Sequence, residues 1–343
     1  MIGSIGLELA ERAWLPDTII RAGIRKLCRR REGDLPSAPD LEAWVEGHLA
    51  KMADGPIANV PEAANEQHYE VPADFFKLCL GPRLKYSSCL FEHATTLEEA
   101  EIEALEATCR HADLSDGQDV LELGCGWGSL TLWMAENYPA SRITAVSNSH
   151  GQRAHIEEVC RQRELTNVRI ITADMNEFDT TDRFDRIVSI EMFEHMHNWK
   201  RLFERVRSWM RDDAAMLIHV FCHRDTPYFF EDRGTGDWMA RHFFSGGQMP
   251  SLDLPGRLPE HLKLDETWEW NGRHYARTAE AWLEELDRNR DTAIAALLKG
   301  RPGIDSDREI QRWRMFFMAC AELFGLDNGE TWLVGHFKLS PAN

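Results

Sequence analysis

Residues 120–133 read VLELGCGWGSLTLW, and this stretch decides the fold. VLEL has strand character, SLTLW opens a helical pattern, and Gly124, Gly126 and Gly128 lie between them. Glycine there permits a tight turn and a close approach of backbone to a ligand. Such a loop alone is weak evidence; at the first strand-to-helix turn of an alternating chain it is strong. This chain does alternate: the β-rich runs DVLELG, RITAVS, VRIITA, RIVSI and AMLIHVF are separated by the helical segments SLTLWMAENY, GQRAHIEEVCRQREL and WKRLFERVRSWM. Near-continuous apolar strands between helices predict an α/β doubly wound core, a parallel sheet covered on both faces.

Working outward, residues 1–75 predict a helical N-terminal lobe, broken at EGDLPSAPD and ADGPIANVPEAAN, and residues 76–343 the core. After Phe221 the alternation stops, and residues 224–262, rich in aromatics, glycine and proline, read as a cap insertion. The strand LKLDETWEW, helical segments over 278–298 and 306–323, and a last strand TWLVGHFKL close the chain. With 343 residues, 43% hydrophobic and 28% charged, there is material for a sizeable core and an appended lobe.

A formal charge of -18 argues against nucleic acid as the main partner, since phosphate binding needs a basic face. The 8 cysteines are scattered with no CxxC pair and no secretory signal, which predicts reduced thiols and a cytoplasmic location. No apolar run approaches the ~20 residues needed to span a bilayer. One basic amphipathic segment, IIRAGIRKLCRRR at 19–31, admits contact with an anionic membrane surface. The favoured reading packs its Ile19, Ile20, Ile24 and Leu27 against the body and leaves the arginines solvated. A homodimer is also admitted.

The glycine loop leaves a choice between a dinucleotide and S-adenosylmethionine. A dinucleotide site of the usual type has GxGxxG and an acid at the end of the second strand. Here the spacing is GxGxG, and the second run ends Val146, Ser147, Asn148, Ser149 without an acid. Glu122, two positions before Gly124, suits a ligand with a charged amino-acid moiety. Asp174, in ADMNEF at the end of the third run, is placed to accept from an adenine amino group. The expected cofactor is S-adenosylmethionine, with Asn148 and Met175 also counted among its binding residues.

Directly after RIVSI comes SIEMFEHMHN, 189–198, which sets Glu191, Glu194, His195 and His197 at the mouth of a buried strand. Charged groups resist such places unless they are paired or have chemistry to do. A plain alternative for Glu194 is to cap the helix beginning near Asn198, and His197 is expected to be exposed. In IHVFCHR, His219 and His223 share a strand face while Cys222 points away, and no further ligand is near, so no metal is predicted. Trp238, Phe243, Phe244, Trp268, Trp270 and Tyr275 are candidates for a pocket wall that attracts cations, with core packing equally open for Trp268 and Trp270. Phe243 and Phe244 precede Gly246 and Gly247, which read as a lid hinge.

HYEVPADFF, LKYSSCLFE, LELGCGWG, SIEMFEH, FFSGGQMPS and HYARTAEAW together resemble the cyclopropane fatty-acid synthase superfamily of class I methyltransferases, which have a Rossmann-like fold. LKYSSC, SIEMFEHM, FCH followed by FED, DW, RHFFSGG and AELFG are similar to its coclaurine N-methyltransferase branch. The resemblance implies that Tyr86 and Ser87 meet the sulfonium and carboxylate end of S-adenosylmethionine, that Gly124 lies under its methionine portion, and that Gln152 assists from the second helix. It implies that Glu194 and His195, with Glu191 beside them, hold a substrate amine. In the synthases Glu194, His219 and Tyr275 would correspond to residues that hold bicarbonate.

The chain departs from the synthases where Ser88 stands in place of their cysteine and where Glu191 and Met192 replace small residues. An extra carboxylate repels bicarbonate and attracts an ammonium. The expected activity is therefore N-methylation of a small-molecule amine, with cyclopropanation or C- or O-methylation of a fatty acyl lipid as the alternative. An alkyl amine is largely protonated at pH 7, by analogy with lysine near ~10.4. Glu191 and Glu194 would attract and orient it, and His195 or Glu194 would take its proton. Ser88, His219, Tyr275 and Phe244 complete the expected substrate surface.

Overall fold

The computed structural model describes residues 2–59, 71–231, 234, 238–243 and 246–342, the side chains of 2–4, 240 and 242 excepted. Helices α1 (Ile2–Glu11), α2 (Asp17–Gly33) and α3 (Leu41–Ala53) come first, then α4 (Leu97–His111). The alternating part follows as β1 (Asp119–Leu123), α5 (Ser129–Asn137), β2 (Arg142–Ser147), α6 (His150–Gln162), β3 (Val168–Thr172), β4 (Phe184–Ile190), α7 (Trp199–Trp209) and β5 (Met210–His223). Later in the chain come β6 (Leu262–Trp270), α8 (Gly272–Arg288), α9 (Arg290–Gly300), α10 (Ser306–Phe324) and β7 (Trp332–Pro341).

These strands form one seven-stranded sheet in the order β3-β2-β1-β4-β5-β7-β6. The first five pair in parallel; β7 and β6 join antiparallel at one edge. Strand order reverses at β1, which has β2 on one side and β4 on the other. Ligands of open α/β sheets bind outside the carboxyl ends of the strands at such a switch point. The central strands are buried on both faces, as in Leu121, Leu123, Ile187, Val188 and Leu217. The edge strand β6 turns Lys263, Glu266 and Glu269 outward, which discourages further strand addition.

Helix α7 shows why the local pattern folds as it does. Trp199, Leu202, Phe203, Val206 and Trp209 lie on one buried stripe. The cap is Asn198, whose side chain accepts from Arg201 N at 3.0 Å, so Glu194 does not cap this helix. The helical stretch expected over 278–298 is two helices, separated at Asn289, whose amide donates to Leu78 O and Glu285 O.

In α2 only part of the expected apolar face is inward: Ile20 is buried and Ile24 packs on the core, but Ile19 and Leu27 are exposed. The reason is electrostatic. Arg21 meets Glu280 and Glu322, Arg25 meets Glu322, and Arg29 meets Asp327, which turns the arginine stripe onto α8, α10 and the turn after α10. The 8 cysteines are free thiols, and no described helix is long and apolar enough to cross a membrane.

Candidate active site

The loop after β1 and the loop after β4 open into one pocket at the carboxyl end of the sheet. Tyr86, Ser87, Glu122, Gly124, Gly126, Gln152, Glu191, Glu194, His195 and Tyr275, all named from sequence, line it. His219 lies behind it, fully buried, and reaches it through Glu191. Ser88 contributes through its backbone. Asn148, Asp174 and Met175 sit past β2 and β3 and are not in the lining: Asp174 accepts from Asn176 N at 2.6 Å, and Met175 is buried in the core beneath. Phe244 falls outside the described residues.

At the β1 end, Gly126 has φ +51, and a Cβ there would meet nothing within 4 Å, so its backbone is open to the pocket. Gly124 is required by the protein itself, since a Cβ would stand 2.8 Å from Met192 Cβ. Glu122 is buried, accepts from Thr131 Oγ1 at 2.5 Å, and is pushed up to about 8 by burial. A carboxylate in that state gains from a cation brought beside it. Trp127 Nε1 and Ser129 Oγ, on residues of the same wall, are buried without partners among the described residues. An acid for an ammonium and free donors for a carboxylate fit the amino-acid end of S-adenosylmethionine. Gln152 is held by Ser147 Oγ at 2.7 Å.

At the β4 end, Glu191 has φ +46, a conformation that a branched or bulky side chain resists. Its backbone N donates to His219 O at 2.8 Å. The carboxylate is bound on every side: Ser88 N donates to Oε1 at 2.9 Å, His219 Nε2 lies 3.2 Å from Oε1, and Tyr275 OH donates to Oε2 at 2.6 Å. Burial pushes Glu191 up to about 7 against the opposing pull of Lys85. Glu194 is 1% exposed, and its Oε2 has no partner among the described residues. Burial first, and then the Glu191 charge, raise its proton affinity well above the ordinary range. Two neighbouring carboxyl groups of this kind titrate as a pair.

Several site residues escaped the sequence reading. Lys85 is buried, and its Nζ donates to Ser87 Oγ and Ser88 O, both at 2.6 Å. The backbone around it is pinned by Glu101 of α4, which accepts from Arg83 N at 2.8 Å and Lys85 N at 3.1 Å. A signal for α4 was present, because Thr96 and Glu99 form a capping box. His197, expected exposed, is half-buried and bridges Lys51 O and Asp54 O at the end of α3, each at 3.0 Å. Among the aromatics, Phe243 stacks on Phe316 of the pocket wall at 4.1 Å, while Trp268 and Trp270 pack on histidines. Gly247 and Gln248 sit against the site: a Cβ at Gly247 would be 2.6 Å from Glu194 O, and Gln248 donates to Met196 O at 2.7 Å.

A family model for mycolic acid cyclopropane synthetase matches residues 59–332. The (S)-coclaurine N-methyltransferase of Thalictrum flavum subsp. glaucum is 38% identical over 337 residues, 96% of this chain and 93% of that protein. A crystal structure of coclaurine N-methyltransferase bound to N-methylheliamine and SAH superposes with a TM-score of 0.93 at 34% identity, covering 97% of this chain and 98% of that one. The cyclopropane synthase MmaA2 of Mycobacterium tuberculosis superposes with a TM-score of 0.69 at 27% identity, covering 81% and 98%. The chain belongs to the mycolic acid cyclopropane synthetase family, within the S-adenosylmethionine-dependent methyltransferases of Rossmann-like fold.

Proposed function

We propose that this enzyme N-methylates a small-molecule amine, as the coclaurine N-methyltransferases it resembles do by name. When bound, S-adenosylmethionine supplies an electrophilic methyl group on its sulfonium. Tyr86, Ser87, Glu122, Gly124, Gly126 and Gln152 would hold its methionine end, and Asn148 and Asp174, past β2 and β3, would meet its adenosine end, with Met175 packed in the core beneath. The chain's own task is to deliver a neutral amine in line with that methyl, a contribution of proximity and orientation. The charge shared by the Glu191–Glu194 pair attracts the ammonium, and Glu194 Oε2, buried and without a partner among the described residues, is placed to accept from its N–H. The Glu191–Glu194 pair then accepts its proton, Glu191 titrating near neutrality. His195 lines the same pocket and positions the lone pair.

One observation carries the reading: the carboxylate of Glu191 occupies His219 Nε2 and Tyr275 OH, two of the groups that the family resemblance assigns to bicarbonate in the synthases. An anion built into the chain leaves no charge vacancy for a borrowed one, and the like charge would repel it. The lipid alternative needs that borrowed base to strip a proton from a carbocation. An amine enzyme does not.

The test is to assay one preparation in degassed buffer with and without added bicarbonate, on an aromatic-bearing secondary amine and on unsaturated phospholipid vesicles. Amine turnover indifferent to bicarbonate, rising with pH as the carboxylate pair deprotonates, is the expected result. Bicarbonate-dependent turnover of the vesicles with none of the amine would overturn the proposal.

A further inference from the structure

Behind Glu191 the sheet holds a file of three histidines, of which only His219 touches the site. His219 on β5 and His336 on β7 are register partners, and both are 0% exposed. Their ring centroids are 4.6 Å apart. His336 Nδ1 lies 2.9 Å from Nδ1 of His111, the half-buried last residue of α4. Trp268 stacks on His111 at 4.0 Å, and Trp270 packs against His336 at 4.1 Å and against His219 at 5.3 Å, so aromatic walls enclose the file. At the inner end His219 Nε2 meets Glu191 Oε1 at 3.2 Å.

Two nitrogens in this file have no partner among the described residues, and they belong to the adjacent rings: His219 Nδ1 and His336 Nε2. A buried polar atom left unpaired destabilises the fold unless it serves some purpose. A sheet centre with only packing to do would carry apolar side chains here, as its neighbours Ile218, Val220, Val334 and Phe337 do. We infer that His219, His336 and His111 form a relay that carries the proton taken from the amine away from Glu191 to the surface. The inference rests on the proposed amine reading, in which Glu191 accepts that proton.

The step balances without any oxidant or reductant. The amine N–H bond breaks as a Glu191 O–H bond forms, and that proton passes to His219 Nε2; His219 Nδ1–H and His336 Nε2, which no hydrogen bond joins at rest, must close on one another by rotation of the adjacent rings for the next handover. His336 Nδ1 then gives one to His111 Nδ1, and His111 releases one to water. Net, one proton leaves per protonated amine consumed. A neutral imidazole suits the task because it accepts at one nitrogen and donates at the other. Burial first, then the charges of Lys85 and His111 for His219 and of His219, His111 and Lys85 for His336, holds both rings far below their ordinary range, so they rest neutral. His111, flanked by Arg110 and Glu266, is held down to about 4, chiefly by burial, and gives up a proton readily at the surface.

The experiment compares His336→Phe and His111→Phe, which keep a ring in place, with the parent enzyme on two acceptors. One is a secondary alkyl amine, protonated at assay pH; the other is a weakly basic aryl amine, already neutral. Both variants should lower kcat on the protonated amine at least 10-fold and change it less than 2-fold on the neutral one. Histidine side-chain nitrogen NMR of the cofactor-free enzyme should find His219 and His336 neutral at all pH values from 5.5 to 8.5. Equal loss on both acceptors means structural damage and overturns the relay, as does no loss on either, or an imidazolium at His336 near pH 7. Glu191→Gln separates this inference from the one beneath it. Full turnover of the protonated amine in that variant refutes the site reading, whereas loss there with unimpaired His336→Phe and His111→Phe refutes the relay alone.

Discussion

Replacing Glu122 by Gln tests the cofactor end through protons rather than rates. Burial pushes this carboxyl up to about 8, with the Thr131 hydroxyl pulling the other way. At pH 7 a group of that kind is about nine-tenths protonated. An ammonium arriving within ~4–6 Å lowers a carboxyl by ~1–3 units, which brings it to about 6 and leaves it about one-tenth protonated. Binding S-adenosylmethionine should therefore expel about 0.8 proton from Glu122 at pH 7, and about 0.1 at pH 9, where little is left to expel. Calorimetric titration in buffers of different ionisation enthalpy counts those protons, and Glu122→Gln should lose that share while keeping the Thr131 hydrogen bond. Its affinity should fall roughly 10- to 100-fold, the scale of a hydrogen bond to a charged group.

Linkage gives the same variant a second readout. The folded value of Glu122 lies above its unfolded one, so its stabilising contribution is complete below about 4.5 and is lost as pH rises toward 8. Melts of the cofactor-free enzyme should show that slope, up to ~1.4 kcal/mol per pH unit from this group, and Glu122→Gln should flatten it. Unchanged proton release and an unchanged slope in the variant would refute the reasoning.

Gly126→Val should remove S-adenosylmethionine binding from a protein that still folds, because φ +51 suits no β-branched residue and the side chain would project into the open pocket; unchanged affinity by calorimetry would contradict this. Glu194→Gln keeps the volume and removes the ionisable carboxyl, so kcat/KM should drop roughly 10²-fold or more with cofactor affinity nearly intact, and full activity would leave Glu194 a structural group.

The strands were legible because the central ones are near-continuous apolar runs between helical segments, the last of which has a clear apolar stripe. RIVSI and WKRLFERVRSWM are the plainest cases: Ile187 and Val188 are buried, and α7 buries its stripe. The break at Asn289 and the rotation of α2 were not legible, since each depends on a tertiary partner: Leu78 O for Asn289, and Glu280, Glu322 and Asp327 for the arginines. In the site, sequence could nominate Glu191 but could not say what it touches. Its contacts come from Ser88, His219 and Tyr275, on a loop, a strand and a helix far apart in the chain. His336 drew no notice, because a histidine in the last strand has meaning only beside its register partner.

Glu191 also explains how one fold can serve two chemistries. A residue at φ +46 costs of order 1–3 kcal/mol unless its surroundings hold it. Here they do: its backbone N reaches His219 O, its carboxylate takes Ser88 N and Tyr275 OH, and buried Lys85 supplies the opposing charge. The carboxylate so held is permanent, at fixed distance, and already desolvated. A borrowed anion must instead be captured and desolvated in each cycle. A tethered carboxylate cannot leave with the proton, however, so each turnover must return it to the charged form in place. That requirement falls on whatever touches Glu191 from behind, and what touches it is His219, with His336 and His111 in line toward the surface.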